Sequence, residues 1–417
     1  KRQKYTYLGN WETREGNANI EETLLMAYLS RRSYTDKEIR SAIAKFKQAA
    51  NSLGGGLYNA NKEVYTLLRY GVNVQAEVTE KKKMVHLIDW ANPMENDFQI
   101  AEEVTIQGES DRRPDLVVYV NGIALAVIEL KRSTVSAHEG IRQNIRNQQD
   151  GYIPRFFTTI QLLFAGNDTE GLHYGVIKTP EKFWLRWKEP CGEPCKPSRF
   201  TAEEYPNELD RSVLQFFDPV RLLEYIHDFI IFDGGIKKAA RPNQYFAVKA
   251  AQPRICKKQN GIIWHSQGSG KSLTMIWLAR WIRENVSDAR VVIITDRDEL
   301  DKQIESGFKD AGEQIQRTKS GGKLIKMLNA AEPWLICTLI HKFGNKNDGD
   351  AISVGNKKAS KSLDLYLEEL AKSLPADFRA KGNIYVFIDE CHRTQGGMLH
   401  EAMKHIMGDD VMLIGCL

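Results

Sequence analysis

The stretch that most restricts the fold of this chain is GIIWHSQGSGKSLTMIW, residues 261–277. An apolar run (Ile262, Ile263, Trp264) reads as a buried strand, a glycine-rich loop follows it, and helical periodicity begins at Leu273 and lasts to Ile282. Strand, tight loop and helix in that order aim backbone N–H groups and a helix N-terminus at one point, which makes a cradle for phosphate. The residues suit that use. Gln267, Gly268, Ser269 and Gly270 form the loop, Lys271 can meet the β- and γ-phosphates, and the Ser272 hydroxyl can ligate Mg²⁺. The pattern G-x-x-x-x-G-K-[ST] is met except at its first position, where His265 stands. ATP with Mg²⁺ is the expected ligand.

The rest of the C-terminal half repeats an alternation of buried strand and charged helix, the mark of a parallel α/β sheet. Residues 290–295 (RVVIIT) lead into DRDELDKQI, residues 334–339 (WLICTL) repeat the strand, and residues 384–390 (IYVFIDE) end it on Asp389 and Glu390. Two adjacent carboxylates leaving a buried strand complement the phosphate loop: Asp389 to hold Mg²⁺ through water, Glu390 to orient the attacking water. Upstream, Gln244 is either an adenine-reading amide or an ordinary amide on a helix surface.

The N-terminal part holds a different constellation in RRPDLVVYVNGIALAVIELKRS, residues 112–133. Two β-branched runs flank Asn121-Gly122, a hairpin signal. Asp115 lies at the open end of the first run, Glu129 and Lys131 at the open end of the second, and two residues apart on a strand they share a face. A carboxylate pair beside a lysine can hold hard divalent cations and activate water against a phosphodiester. This resembles the PD-(D/E)xK nuclease motif. A regular two-residue hairpin, however, places Asp115 opposite Ile128 and turns Glu129 to the other face, so an irregularity is expected at Asp115.

Around these landmarks the chain reads as helices at residues 20–29 and 36–50, a break at LGGGLYN, a helix at 62–70, a strand at 156–164 and a helical segment at 220–232. Residues 138–150 have helical period and carry amides that read more readily as a solvated face than as a contact to DNA. Trp184 and Trp187 read as core packing. Cys191 and Cys195 lack a second ligand pair, so zinc is not expected.

At 417 residues the chain is too long for one core. A net charge of +4 leaves any nucleic-acid contact to local basic patches, and six cysteines over this length point to a reducing interior. No apolar run has the length of a membrane span and no signal peptide opens the chain, so a cytoplasmic protein is expected. The start on Lys1 and the stop after the apolar run at 411–414 suggest part of a longer protein.

Together the motifs carry a family resemblance. IDECHR looks like a DExH box and, with HSQGSGKS, resembles superfamily 2 helicase-type motors. A PD-(D/E)xK element ahead of such a motor resembles the restriction (R) subunit of type I restriction-modification enzymes; LIDWANPMENDF, RPNQYFAV and TDRDELDKQ look like further stretches of it. His265 at the first loop position is also that family's habit. The resemblance implies a mixed-sheet nuclease domain at 1–185, a connection at 186–235 and the first RecA-like domain of the motor, a parallel sheet, at 236–417. It implies Mg²⁺-dependent cleavage of unmodified double-stranded DNA at Asp115, Glu129 and Lys131, translocation driven by ATP, and methyltransferase and specificity subunits as partners in a prokaryotic cytoplasm. It further implies that Gln244 reads adenine, that His392 and Arg393 couple the motor, and that Glu21 or Glu22 adds a metal-binding carboxylate from a helix. A Q-x-x-x-Y element falls either on Gln143 and Asn147 or on Gln148 and Tyr152. The arginine that completes the ATP site lies in a second RecA-like domain beyond Leu417, so weak ATP binding and little hydrolysis are expected here. The competing readings are a DNA-remodelling ATPase with an inactive nuclease-like domain and a non-catalytic docking subunit with a degenerate NTPase.

Overall fold

The computed structural model describes residues 4–75, 82–190, 207–266, 268–295, 298–310, 312–318, 321–339, 378, 380–389, 407 and 410–416. The chain divides into two compact units, Lys1–Ala239 and Ala240–Leu417.

The described residues of the first unit form strands β1 (Thr6–Asn10), β2 (Val72–Val74), β3 (Lys83–Val85), β4 (Phe98–Glu102), β5 (Leu116–Val120), β6 (Ile123–Leu130), β7 (Leu162–Asn167), β8 (Gly171–Gly175), β9 (Leu185–Arg186), β10 (Ile230–Asp233) and β11 (Ile236–Ala239). The helices are α1 (Glu22–Arg31), α2 (Asp36–Asn51), α3 (Gly56–Tyr70), α4 (Ala137–Asn147), α5 (Glu208–Phe216) and α6 (Pro219–Asp228). A mixed seven-stranded sheet runs β1-β4-β5-β6-β7-β8-β9. The β1/β4 and β6/β7 pairs are parallel and the others antiparallel. The central strands β5 and β6 are buried on both faces, as their unbroken apolar runs require.

The β5–β6 hairpin turns at Asn121 (φ 54°) and Gly122 (φ 79°), both left-handed, the geometry whose twist matches the flanking strands. Asn121 is fully buried; its side chain donates to Leu87 O and accepts from Asp97 N. A Cβ on Gly122 would stand 2.7 Å from Glu21 O, so glycine is needed for α1 to dock on the turn. The ladder is irregular, but at its middle. Tyr119 pairs with Ala124 and Val118 with Ala126, so Leu125 is the extra residue and Asp115 itself follows a regular stretch.

Several local expectations give way to tertiary context. The LGGG stretch makes a 3-10 turn (Leu53–Gly55) that runs into α3, so that helix starts at Gly56 and not near residue 62. Residues Pro154–Thr158 form a 3-10 helix opened by proline, and the strand begins only at Leu162. The apolar run after α6 becomes strand β10, because a continuous apolar stretch carries no period to separate helix from strand. Trp184 and Trp187 are buried core residues, Trp187 packing edge-on against Phe216.

The second unit forms α7 (Pro242–Cys256), β12 (Gly261–Ile263), α8 (Lys271–Asn285), β13 (Ala289–Thr295), α9 (Asp298–Asp310), β14 (Gln316–Thr318), α10 (Gly321–Asn329), β15 (Leu335–Leu339), β16 (Asn383–Asp389) and β17 (Met412–Cys416). Its six strands run β12-β17-β16-β13-β15-β14, every pair parallel. The expected α/β class, a mixed sheet followed by a parallel RecA-like sheet, is borne out. Among the described residues no helix is long and apolar enough to cross a membrane.

Candidate functional site

In the first unit the hairpin's open end gathers the predicted charges. The bulge at Leu125 sets Leu116 opposite Ile128, so the next residues outward, Asp115 and Glu129, fall opposite each other on one face. Lys131 Nζ lies 3.8 Å from Asp115 Oδ2 and 3.8 Å from Glu129 Oε2. Asp115 Oδ2 accepts from the Leu130 backbone N–H at 2.6 Å, which ties the two strand ends together. Glu129 is 0% exposed, and neither of its carboxylate oxygens has a hydrogen-bond partner. Burial, reinforced by the charge of Asp115 and opposed by Lys131, pushes its carboxyl well above the usual range. An orphaned buried carboxylate next to a second carboxylate fits a hard divalent cation, which would supply the missing charge and ligation.

Gln143 Oε1 accepts from Lys131 Nζ at 2.9 Å. The amide-bearing side of α4 is therefore not a solvated face. Asn144 is buried and donates to Phe164 O at 3.0 Å, and Asn147 is buried with neither polar atom paired. Gly140 makes this possible, since a Cβ there would stand 3.3 Å from Glu129 Cβ and 3.1 Å from Ala165 Cβ. Sequence reasoning missed Gly140; a glycine inside an otherwise regular helix was the available signal. Gln148 is engaged elsewhere, accepting from Lys178 N, and Tyr152 lies under the Arg112 guanidinium at 4.1 Å.

Glu21 and Glu22 are not brought to this cluster. The backbone N–H of Glu21 donates to Gly122 O at the hairpin's turn, and Glu129 is seven residues further on, near the far end of β6. At ~3.3 Å per residue that separation is on the order of 20 Å, far beyond a shared cation. Glu21 is instead held by Arg14, with an oxygen 2.6 Å from its guanidinium, and Glu22 pairs with Lys47.

The second unit holds the glycine-rich loop expected to cradle phosphate. Ile263, Cys416 and Asp389 are in register across β12, β17 and β16, so the loop leaving β12 and Asp389 share one edge of the sheet. Two strand spacings separate them, about 10 Å, which leaves room for a phosphate and its cation. Gly268 (φ 78°) and Gly270 (φ 87°) take left-handed conformations in the loop, and Gly270 caps α8, whose first residues are Lys271 and Ser272. Gln244 is buried. Its amide N donates to Ser269 O at 3.1 Å and Gly270 O at 2.9 Å, while its oxygen accepts from Arg241 N at 2.7 Å. Of the two sequence readings for Gln244, neither describes this brace on the phosphate loop, to which Gly270 contributes by lacking a Cβ, which would lie 2.3 Å from the amide. His265 is buried beneath the loop. Burial holds its imidazole below the ordinary value; the charge of Lys271 acts the same way, against a hydrogen bond that the imidazole donates to the Asn243 backbone. Asp389 is 4% exposed. Gln267, Glu390, His392, Arg393 and the Cys191/Cys195 pair lie outside the described residues.

Residues 1–182 match the family described as type I restriction enzyme R protein N terminus, and residues 243–415 match the SWI2/SNF2 ATPase family. A putative type I restriction enzyme MjaIXP endonuclease subunit from Methanocaldococcus jannaschii is 26% identical over 87% of this chain and 35% of its own length. The type I restriction enzyme HindI endonuclease subunit from Haemophilus influenzae is 27% identical over 84% of this chain and 33% of its own. The chain spans about a third of the length of these relatives. Among solved structures, the UvsW helicase from bacteriophage T4 matches 47% of this chain and 58% of that chain at 17% identity and a TM-score of 0.32, too slight to carry an argument. The resemblance to R subunits of type I restriction enzymes is borne out across both units.

Proposed function

We propose that this chain, similar in one unit to R-protein N termini and in the other to SWI2/SNF2 ATPases, supplies the DNA-cutting centre and half of the DNA-moving motor of a type I restriction enzyme. The observation that carries the cutting centre is Glu129: fully buried, with neither oxygen hydrogen-bonded, opposite Asp115 and 3.8 Å from Lys131. Asp115 and Glu129 would hold Mg²⁺, which supplies Lewis-acid activation of the phosphodiester and its attacking water. Lys131 places a positive charge where negative charge builds up on the phosphate, and Gln143 fixes its ammonium in position. In the motor, Lys271 and the loop N–H groups cradle the ATP phosphates, Ser272 and Asp389 complete the cation shell, and Glu390 orients water. The substrate is double-stranded DNA lacking the modification that the partner methyltransferase and specificity subunits install, and the work is done in the prokaryotic cytoplasm.

An Asp115→Ala substitution in the full-length subunit, assembled with those partners, tests the cutting assignment. Cleavage is expected to fall by several orders of magnitude with ATP hydrolysis retained. Cleavage at the unsubstituted rate would instead favour a motor whose nuclease-like domain only holds DNA.

A further inference from the structure

The glycine-rich loop between β12 and α8 is fastened to the first turn of α7 at both of its ends. At the far end Gln244 donates to Ser269 O at 3.1 Å and to Gly270 O at 2.9 Å, and Arg241 Nη1 donates to Gly268 O at 3.4 Å. In a trans peptide the carbonyl and the N–H that follows it point in opposite directions. Holding the Ser269 and Gly270 carbonyls toward α7 therefore turns the N–H groups of Gly270 and Lys271 to the other side, the side expected to take phosphate. At the near end Ser269 N donates to Ser266 O at 3.1 Å and closes a tight turn. The residue that leads into that turn is His265, whose imidazole donates to the Asn243 backbone. Asn243 and Gln244 are neighbours in the first turn of α7, so one helical turn holds both ends of the loop.

We infer that His265 is a positioning residue for nucleotide binding: as an N–H donor to Asn243 it sets the start of the phosphate loop, at the position where the general pattern has glycine. The inference rests on the ATP reading of the loop. The backbone does not ask for glycine at this point. Gly268 and Gly270 have left-handed φ, and His265 is not among the described residues that do, so the position is open to a side chain. The ring is buried and its Nδ1 has no hydrogen-bond partner, which leaves Nε2 as the nitrogen that meets Asn243. A second proton would place an unpaired donor inside the protein and in the field of Lys271, so the ring stays neutral with its proton on Nε2. Glycine at this position would supply no donor, and the start of the loop would lose its tie to α7.

The test is the affinity of the full-length subunit for a fluorescent ATP analogue with Mg²⁺, in His265→Gly, His265→Ala and His265→Gln. Glutamine carries its amide nitrogen about where the imidazole has Nε2, so it keeps the donor without the ring. His265→Gly restores the general pattern and is nevertheless expected to weaken binding by about 3–10-fold, the loss of one hydrogen bond. His265→Ala should do the same, and His265→Gln should recover most of the loss. In the enzyme assembled with its partners, the glycine and alanine variants should raise the KM for ATP by that factor and hold kcat within about twofold. Native affinity in His265→Gly, binding by His265→Gln as weak as by His265→Ala, or a kcat that falls along with the rise in KM overturns the inference and leaves the ATP reading standing. No binding by the native subunit, or native affinity in Lys271→Ala, overturns both.

Discussion

At the scale of single residues the proposed cutting centre depends on Glu129. Its carboxyl is held above its ordinary value by burial and by Asp115, so the folded chain binds this proton more tightly than the unfolded chain does. The sign follows: Glu129 contributes full stability below the unfolded carboxylate value and loses it as pH rises through the raised folded value. Without divalent ions, thermal stability of the chain should therefore fall on going from acid to neutral pH, and Mg²⁺ should restore it at neutral pH more than in acid. Glu129→Gln keeps the shape and removes the charge. It should raise the metal-free stability at neutral pH by about 1–3 kcal/mol, flatten the pH slope and cancel the Mg²⁺-dependent shift. Calorimetric scans across pH, with and without Mg²⁺, read all three, and an unchanged Mg²⁺ shift in the variant would remove Glu129 from the cation site.

At the scale of elements, the site is made by two approaches of backbone. The β5–β6 hairpin carries the charges, and α4 packs tightly against β6 and β7 at residue 140, a glycine. Gly140→Val should push α4 away from β6 and β7, cost about 1–3 kcal/mol by overpacking and break the Gln143–Lys131 contact; chemical denaturation measures the first effect and loss of cleavage by the assembled enzyme the second. Elements with local signals were legible in the sequence. Asn121-Gly122 announced its own turn, and GSGKS between a strand and a helix announced its cradle. What was not legible depended on distant partners. The hairpin's parity demanded an extra residue without saying that Leu125 would be it, and Glu22 lies on a helix docked at the wrong end of the hairpin, which no spacing in the chain reveals. Gln244 showed its helix position but not that its amide would brace the phosphate loop.

At the scale of the molecule, the proposal assigns two separable chemistries to two units: one to the Asp115/Glu129 pair at the end of a mixed sheet, the other to a glycine-rich loop in register with Asp389 at the end of a parallel one. Under the proposed function the second would feed the first, drawing DNA past the assembly before it is cut. The most direct test compares Glu129→Ala with Lys271→Ala in the full-length subunit assembled with its methylation and specificity partners, following ATP-driven movement along unmodified supercoiled DNA together with its cleavage. Glu129→Ala is expected to abolish cleavage and leave movement intact, and Lys271→Ala to abolish both. Cleavage that survives Glu129→Ala, or movement that survives Lys271→Ala, would contradict the account.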